Sequence, residues 1–445
     1  MMSILTLESV APWAPHPAAA PLTERGKDVL AAAANGTRTC IGGWQLTYSG
    51  VETGKTYGIR VEAGFADLER VQDMLRCEIY WGTLPADDPR NGHQEVVSWD
   101  YLVPESVAGD SIRFGRVLSA PEGTDRLTLR YTFRWSVKGS VDWHFPEIDL
   151  AELTAVGTEP VNICVVTGRR EDRGGPYKTI QENIDFYLPL CQQASDDLKP
   201  DLIVLPEIAL QWGIPGSPLD QAVPAPGPET APFAELARQD GVHLLLGLLE
   251  RDGDAVHNSA VLIGPDGSIE GKYRKVHLAV GGEMETGILP GDDFPVFDTA
   301  IGRIGCNICM DSSAAESSRM IGLNGADFLL LPIMGDHRAW HPENHVWDPE
   351  RFKGIMMTRA VDNQLCMVVA VNRAQGSCII DRTGHVLAWN DGDRPYVSAT
   401  VNLSDGFRPS NKGCYRSTNW MQRRPHVYAA FVEPENVGGL LAQEY

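Results

Sequence analysis

Two short runs constrain this chain most. VNICVVT at 161–167 and DLIVLP at 201–206 are apolar at nearly every position, and a helix-compatible stretch from about Lys178 to Ala194 lies between them. A strand that alternates apolar and polar residues has one wet face, whereas a continuously apolar one is buried on both. Two such runs around a helix read as a parallel βαβ unit. A second helical stretch, Ala231 to Gln239, precedes VHLLLGLLE, and Asp266-Gly267 and Thr383-Gly384 mark hairpin turns further on. Helices and strands alternate to about Val401. The region 160–430 is therefore expected to be one α/β domain, large enough for a substantial core.

The chain before it has a different texture. Tyr57, Ile59, Val61, Ala63 and Phe65 alternate with Gly58, Arg60, Glu62 and Gly64. Leu127, Leu129, Tyr131, Phe133 and Trp135 repeat the pattern, as do Cys77, Ile79 and Trp81. Period-2 alternation between Gly, Pro and Asp clusters predicts an antiparallel β-sandwich over 38–155, with Trp81 and Trp135 in its core. Residues 1–37, rich in Ala and Pro, read as an arm or linker, and 431–445 as a C-terminal extension.

Charge and cysteine usage narrow the function classes. Lys plus Arg is 38 against 59 Asp plus Glu, a net charge of −21. That removes the electrostatic drive for binding nucleic acid or an anionic membrane. No apolar run is long enough to span a bilayer, and the N-terminus lacks a secretory pattern. Nine scattered cysteines suit a reduced, cytoplasmic protein.

Three residues carry the chemical interest. Cys309, in GRIGCNICMDSS, ends an apolar strand and precedes a helix-compatible stretch. Such an elbow places backbone N–H groups near the sulfur. A small apolar core residue is the ordinary alternative, and Cys306, three residues earlier, could be that core residue instead. Glu207 follows DLIVLP at a strand's carboxyl end, where α/β sheets bind ligands, although a solvated loop glutamate is equally ordinary. Lys275, in GKYRKVHLA, is unremarkable by itself.

Together, in this order and spacing, they resemble the nitrilase, or carbon–nitrogen hydrolase, superfamily. Further matches are Asn258-Ser259-Ala260, Pro290-Gly291-Asp292, Arg359 to Asn363, Asn372, Gly376-Ser377, Asp381, Glu316 and Arg423-Arg424-Pro425. The resemblance implies a four-layer α-β-β-α sandwich in the second domain and a homodimer or higher homo-oligomer. It also implies a second glutamate six residues before the Pro-Gly pair. Glu285, five before it, is taken over Glu283, seven before it.

The chemistry is coherent without the family. A thiol of pKa about 8.5 needs a cation or a base to become a nucleophile. Lys275 supplies charge, favouring the thiolate and then the oxyanion; Glu207 moves protons; a thioester forms and water hydrolyses it. On that reading Cys309 is the most readily alkylated cysteine. Neither a metal nor an organic cofactor is required. His337, His341 and His345 have a ligand-like spacing, but Pro342 interrupts a shared helical face.

The expected activity is hydrolysis of a small-molecule, non-peptide amide. Met310 stands where nitrile hydrolysers of the superfamily usually carry tryptophan, and Ser312-Ser313 where carbamoylases often carry arginines. Met310, His337 and Trp340 are the expected substrate contacts. A nitrilase, an N-carbamoyl hydrolase and an acyltransferase are the alternatives on the same scaffold. A silent carbohydrate- or protein-binding module is the alternative of another class, since six of eleven tryptophans precede residue 159.

Overall fold

In the computed structural model, which describes residues 4–85, 95–152, 160–168, 178–403 and 408–428, the chain divides into two units. The first comprises Met1–Thr154 with Arg408–Tyr445, the second Ala155–Phe407.

Eleven antiparallel strands build the first unit. They are β1 (Thr6–Trp13), β2 (Leu22–Arg25), β3 (Val29–Ala33), β4 (Ile41–Ser49), β5 (Thr56–Ala66), β6 (Leu75–Trp81), β7 (Ser98–Ala108), β8 (Ser111–Ser119), β9 (Arg126–Arg134), β10 (Ser140–His144) and β11 (Glu147–Leu150). Strand order is β1-β4-β9-β6-β7-β8-β5-β10-β3-β2, with β11 also on β5. Residues Ser98–Leu102 of β7 pair with β6, and Val103–Ala108 pair with β8, the register shifting between Pro104 and Ser106. A bulge of this kind bends a strand, here carrying it from one half of the sheet to the other. One core fills the unit, and the expected alternation supplies it: Tyr57, Ile59, Val61, Cys77, Ile79, Trp81, Leu129, Tyr131 and Phe133 are buried.

Three expectations need correction here. Residues 4–37 are not a linker, because β1 pairs with β4, and β2 and β3 extend the sheet. β1 is a largely exposed edge strand, so it carries no apolar period. β3 reads VLAAA, and Ala32 beside Leu30 is all that its core face needs. Trp135 is not a core residue. β9 ends at Arg134, Trp135 has φ 61°, its side chain is exposed, and the Arg134 guanidinium lies 3.8 Å over its ring.

The boundary expected near 430 falls at 407. From Arg408 the chain belongs with the sandwich, and the residues expected as the extension, 431–445, lie outside those described. Asp100, buried on β7, accepts from Arg408 Nη2 at 2.9 Å, Ser417 Oγ at 2.9 Å and Arg116 Nη1 at 3.2 Å. Trp99 Nε1 donates to Asn411 O at 2.7 Å, and Gly413 packs on the Trp99 ring.

The second unit holds two six-stranded sheets. The first contains β12 (Val161–Val166), β13 (Leu202–Val204), β14 (His243–Asp252), β15 (Ala255–Ile263), β16 (Ile269–Arg274) and, returning late, β23 (Tyr396–Val401). The second contains β17 (Val296–Thr299), β18 (Gly302–Cys306), β19 (Phe328–Ile333), β20 (Cys366–Val371), β21 (Gln375–Ile380) and β22 (Val386–Asp391). In each, three central strands are parallel, β12-β13-β14 and β18-β19-β20. The apolar runs are buried on both faces, as their continuity predicts. Ile163, Leu202, Leu245 and Leu262 meet Ile304, Phe328, Leu330 and Val368 between the sheets. Helices Ile180–Leu198 and Ala231–Asp240 cover the outer face of one sheet, and Ala315–Leu323 and Pro349–Asn363 that of the other. The result is a four-layer α-β-β-α sandwich. Among the described residues no helix is long and apolar enough to cross a membrane.

Breaking a buried ion pair strands the remaining charge. Asp100→Ala should therefore cost the first unit about 3 kcal/mol, read as a lower midpoint in denaturant followed by tryptophan fluorescence; an unchanged midpoint would mean that the 408–421 segment is not held there.

Candidate active site

The parallel strands of both sheets end on one side, and the candidate residues sit just past those ends. Glu207 follows β13. Gly247 on β14 lets that turn approach, because a Cβ there would overlap Pro206 O. Ile208, directly after, has φ 42°, and Asn372 Nδ2 donates to Glu207 O at 2.7 Å. Lys275 follows β16, its N–H donating to Asn258 O on β15 at 2.9 Å. Cys309 follows β18 with φ 43°. A left-handed conformation costs a non-glycine residue about 1–3 kcal/mol, so the surroundings must hold the elbow.

They do so through Asp311, which is fully buried. Its Oδ2 accepts from Ile308 N at 2.9 Å and Tyr273 Oη at 2.6 Å, and its Oδ1 accepts from His277 N at 2.8 Å. The His277 Nδ1 lies 2.9 Å from the same oxygen, and that hydrogen bond holds the imidazole above its ordinary pKa. The Tyr-Arg-Lys-x-His segment that positions Lys275 thus also braces the cysteine.

At the centre, Lys275 Nζ lies 2.9 Å from Glu207 Oε1 and 2.7 Å from Glu283 Oε2. Lys275 and Glu207 are 1% and 2% exposed, so the ion pairs are shielded from water. Burial disfavours the ammonium, but Glu207, Cys309 and Glu283 together push it well above the usual lysine range. The cation is permanent.

Glu207 Oε2 accepts from Met334 N at 3.0 Å, and the Cys309 thiol, under the influence of that carboxylate, donates to Gly335 O at 3.8 Å. Burial first, then the Glu207 charge, pushes that thiol well up, outweighing Lys275. Of the two routes, a cation that populates the thiolate and a base that forms it, this direction favours the base, Glu207.

The second glutamate is also corrected. Glu283 reaches the lysine, and its Oε2 also accepts from Ala279 N at 2.7 Å. Glu285 faces away, accepting from Gly281 N at 3.0 Å. The tight turns over 279–286 bring position 283 inward and leave 285 outside.

Glu207, Lys275, Glu283 and Cys309 line one cavity of about 860 Å³. His337 and Trp340 line it as expected. Met310 does not; its sulfur instead lies 3.7 Å from Ser313 Oγ. Trp212, Trp347, Phe352, Arg373, Gln375 and Asp391 line the wall without having been singled out. Trp347 was legible as part of the loop that carries Trp340, and those two residues form a bridge across it. Asp391, from the far hairpin, had no local signal. Arg338 turns away from the cavity onto Asp336 and Ser312 O. Among the described residues no three His, Cys, Asp or Glu side chains are grouped to hold a metal ion.

These contacts separate the two glutamates. Glu283→Gln should lower kcat by at least about 100-fold, because the lysine loses a charged partner and a mispositioned group costs that much. Glu285→Gln should stay within about threefold of wild type. Equal losses in steady-state assays would refute the assignment.

Known proteins resemble this chain in sequence and in fold. Residues 173–406 match the family model described as carbon-nitrogen hydrolase. A probable nitrilase from Schizosaccharomyces pombe is 29% identical over 250 residues, 53% of this chain and 86% of that protein. The omega-amidase of Homo sapiens is 31% identical over 195 residues, 40% of this chain and 68% of its own. In fold, the second unit is similar to a carbon-nitrogen hydrolase from Helicobacter pylori, with TM-score 0.50 and 22% identity, covering 62% of this chain and 99% of that one. With more than half of its length matched by the family model, the chain belongs to the carbon–nitrogen hydrolase family, enzymes that hydrolyse carbon–nitrogen bonds other than peptide bonds.

Proposed function

We propose that this protein is an amidase that works through a thioester on Cys309. The observation that carries the reading is the buried Glu207–Lys275–Glu283 cluster on the same cavity as Cys309. Glu207 takes the proton from Sγ as the sulfur attacks the amide carbon, so the S–C bond forms as the S–H bond breaks. The carbonyl oxygen becomes an oxyanion beside the Lys275 ammonium. Glu207 returns its proton to the nitrogen, the C–N bond breaks, and the amine or ammonia leaves. Water then gives a proton to Glu207 and attacks the thioester, and the same proton returns to sulfur as the acid departs. Glu283 stays ionised against Lys275 throughout.

Trp212, Trp340, Trp347 and Phe352 favour a substrate with a sizeable apolar acyl group over the smallest amides. Trp347 is braced by Trp389, whose ring lies 6.4 Å away and nearly parallel, so that wall is rigid.

Cys309→Ala should abolish turnover, whereas Cys306→Ala, at a buried core position between the sheets, should keep most of it. Intact-protein mass spectrometry during turnover of an amide panel should show an acyl adduct on the wild type and none on Cys309→Ala. An adduct whose mass matches a nitrile- or carbamoyl-derived group instead would replace amidase with that alternative. The raised thiol pKa makes a further prediction. Alkylation of Cys309 by iodoacetamide should keep accelerating above about pH 10, where an ordinary cysteine, half ionised at about pH 8.5, has levelled off. A plateau below pH 7 would mean a preformed thiolate and overturn the proton-transfer role of Glu207.

A further inference from the structure

We infer that Asn258 is a positioning residue for this reaction, a neutral clamp whose one carboxamide nitrogen holds Glu207 and Glu283 on either side of Lys275. The inference rests on the mechanism proposed above and adds to it the group that keeps two carboxylates together. Asn258 Nδ2 donates to Glu207 Oε1 at 2.9 Å and to Glu283 Oε1 at 2.6 Å. Its backbone oxygen accepts from Lys275 N at 2.9 Å. One residue, 1% exposed on β15, therefore touches all three charged partners.

The orientation of the amide is forced. Reversed, its oxygen would face two carboxylate oxygens, and neither ionised carboxylate has a proton to donate. With the nitrogen so placed, Oδ1 is buried and, among the described residues, has no hydrogen-bond partner. Buried polar atoms are ordinarily paired, and a side chain serving only the fold gains nothing from an orphaned acceptor. At Asn258 the acceptor is left unmet while both donors go to the ionised carboxylates. That pattern fits a group selected for what it does to Glu207 and Glu283.

The consequence for chemistry lies in which oxygen of Glu207 acts. Oε1 receives Lys275 and Asn258, whereas among the described residues Oε2 receives a hydrogen bond only from Met334 N. The less occupied oxygen is Oε2, and it is left to exchange a proton with Cys309. The charged and titratable groups facing Glu207 are Lys275, Glu283 and Cys309, a set with one more carboxylate than ammonium when the thiol is protonated. The two N–H donors of the clamp face that excess charge and hold both carboxylates in place. Without the clamp the excess charge is uncompensated and Glu207 is free to rotate.

The test uses the full chain with Asn258→Ala, Asn258→Ser and Asn258→Asp. Asn258→Ala should lower kcat about 100-fold, with KM changed much less, and move the acid limb of kcat/KM upward by about one pH unit. Asn258→Ser, which keeps a hydroxyl donor, should recover part of both effects. Asn258→Asp, which adds a third carboxylate, should shift the limb furthest. The same limb should move in the pH dependence of Cys309 alkylation by iodoacetamide, a readout that needs no amide substrate. Loss of kcat in every variant with the acid limb unmoved would make Asn258 a structural buttress and overturn the inference, as would wild-type kcat in Asn258→Ala. If Asn258→Ala does not fold, Asn258→Ser with a native melting transition decides by the same two criteria. A shifted alkylation profile in a protein that turns over no amide would refute the amidase reading and leave the clamp standing.

Discussion

An ammonium group with almost no contact with water, held by two carboxylates, is the constraint that organises the second unit. Lys275 is as buried as the aromatic residues of the core, and its removal from water is expensive. The fold recovers that cost only if two carboxylates arrive from different places at hydrogen-bonding distance. Glu207 comes from the end of β13 and Glu283 from the turns beyond β16. The close approach of β14 at Gly247 and the short turns over 279–286 are both conditions of that meeting. In such a site electrostatics is strong because little water screens it, and in the proposed reaction that is what lets Lys275 act on a developing oxyanion.

The cysteine is held by a different network that shares a strand with the first. Tyr273 ends β16 pointing inward and reaches Asp311, and two residues later Lys275 reaches Glu207. The period of a strand places 273 and 275 on one side. Alternation alone therefore delivers one side chain to the elbow and the next to the carboxylates. His277 continues the series from the loop beyond, again onto Asp311. The nucleophile and its electrostatic partner are registered against each other through five residues of backbone.

What was legible in the sequence follows from how local each signal is. The buried strands of the second unit, the alternating strands of the first and the positions of Glu207, Lys275 and Cys309 are written in contiguous residues, and the structure places them accordingly. Position 283 was missed because a one-residue offset in a glycine-rich turn is set by how the turn folds, not by spacing to Pro290. The first three strands were missed because an exposed edge and an alanine-rich strand lack the pattern that marks strands. Most costly was the chain's return to the sandwich at Arg408. Its evidence is a contact between residues about 310 positions apart, Asp100 with Arg408 and Ser417, and no local pattern records such a pairing.

In the proposed reaction a protonated resting Cys309 goes with the same burial that makes Lys275 effective. A thiolate in this site would stand beside Glu207 and Glu283 with one lysine to balance three negative charges, in a place from which water is largely excluded. Keeping the proton on sulfur until the substrate carbonyl is in place leaves two negative groups against one positive. As the proton moves to Glu207, that carboxylate is neutralised at the moment negative charge appears on the carbonyl oxygen. The count of charges around Lys275 is thus unchanged along the step. A standing thiolate would gain nucleophilicity at rest but would bring the extra charge before there was any oxyanion to use it. The buried thiol is therefore part of how the site concentrates its electrostatics on the transition state.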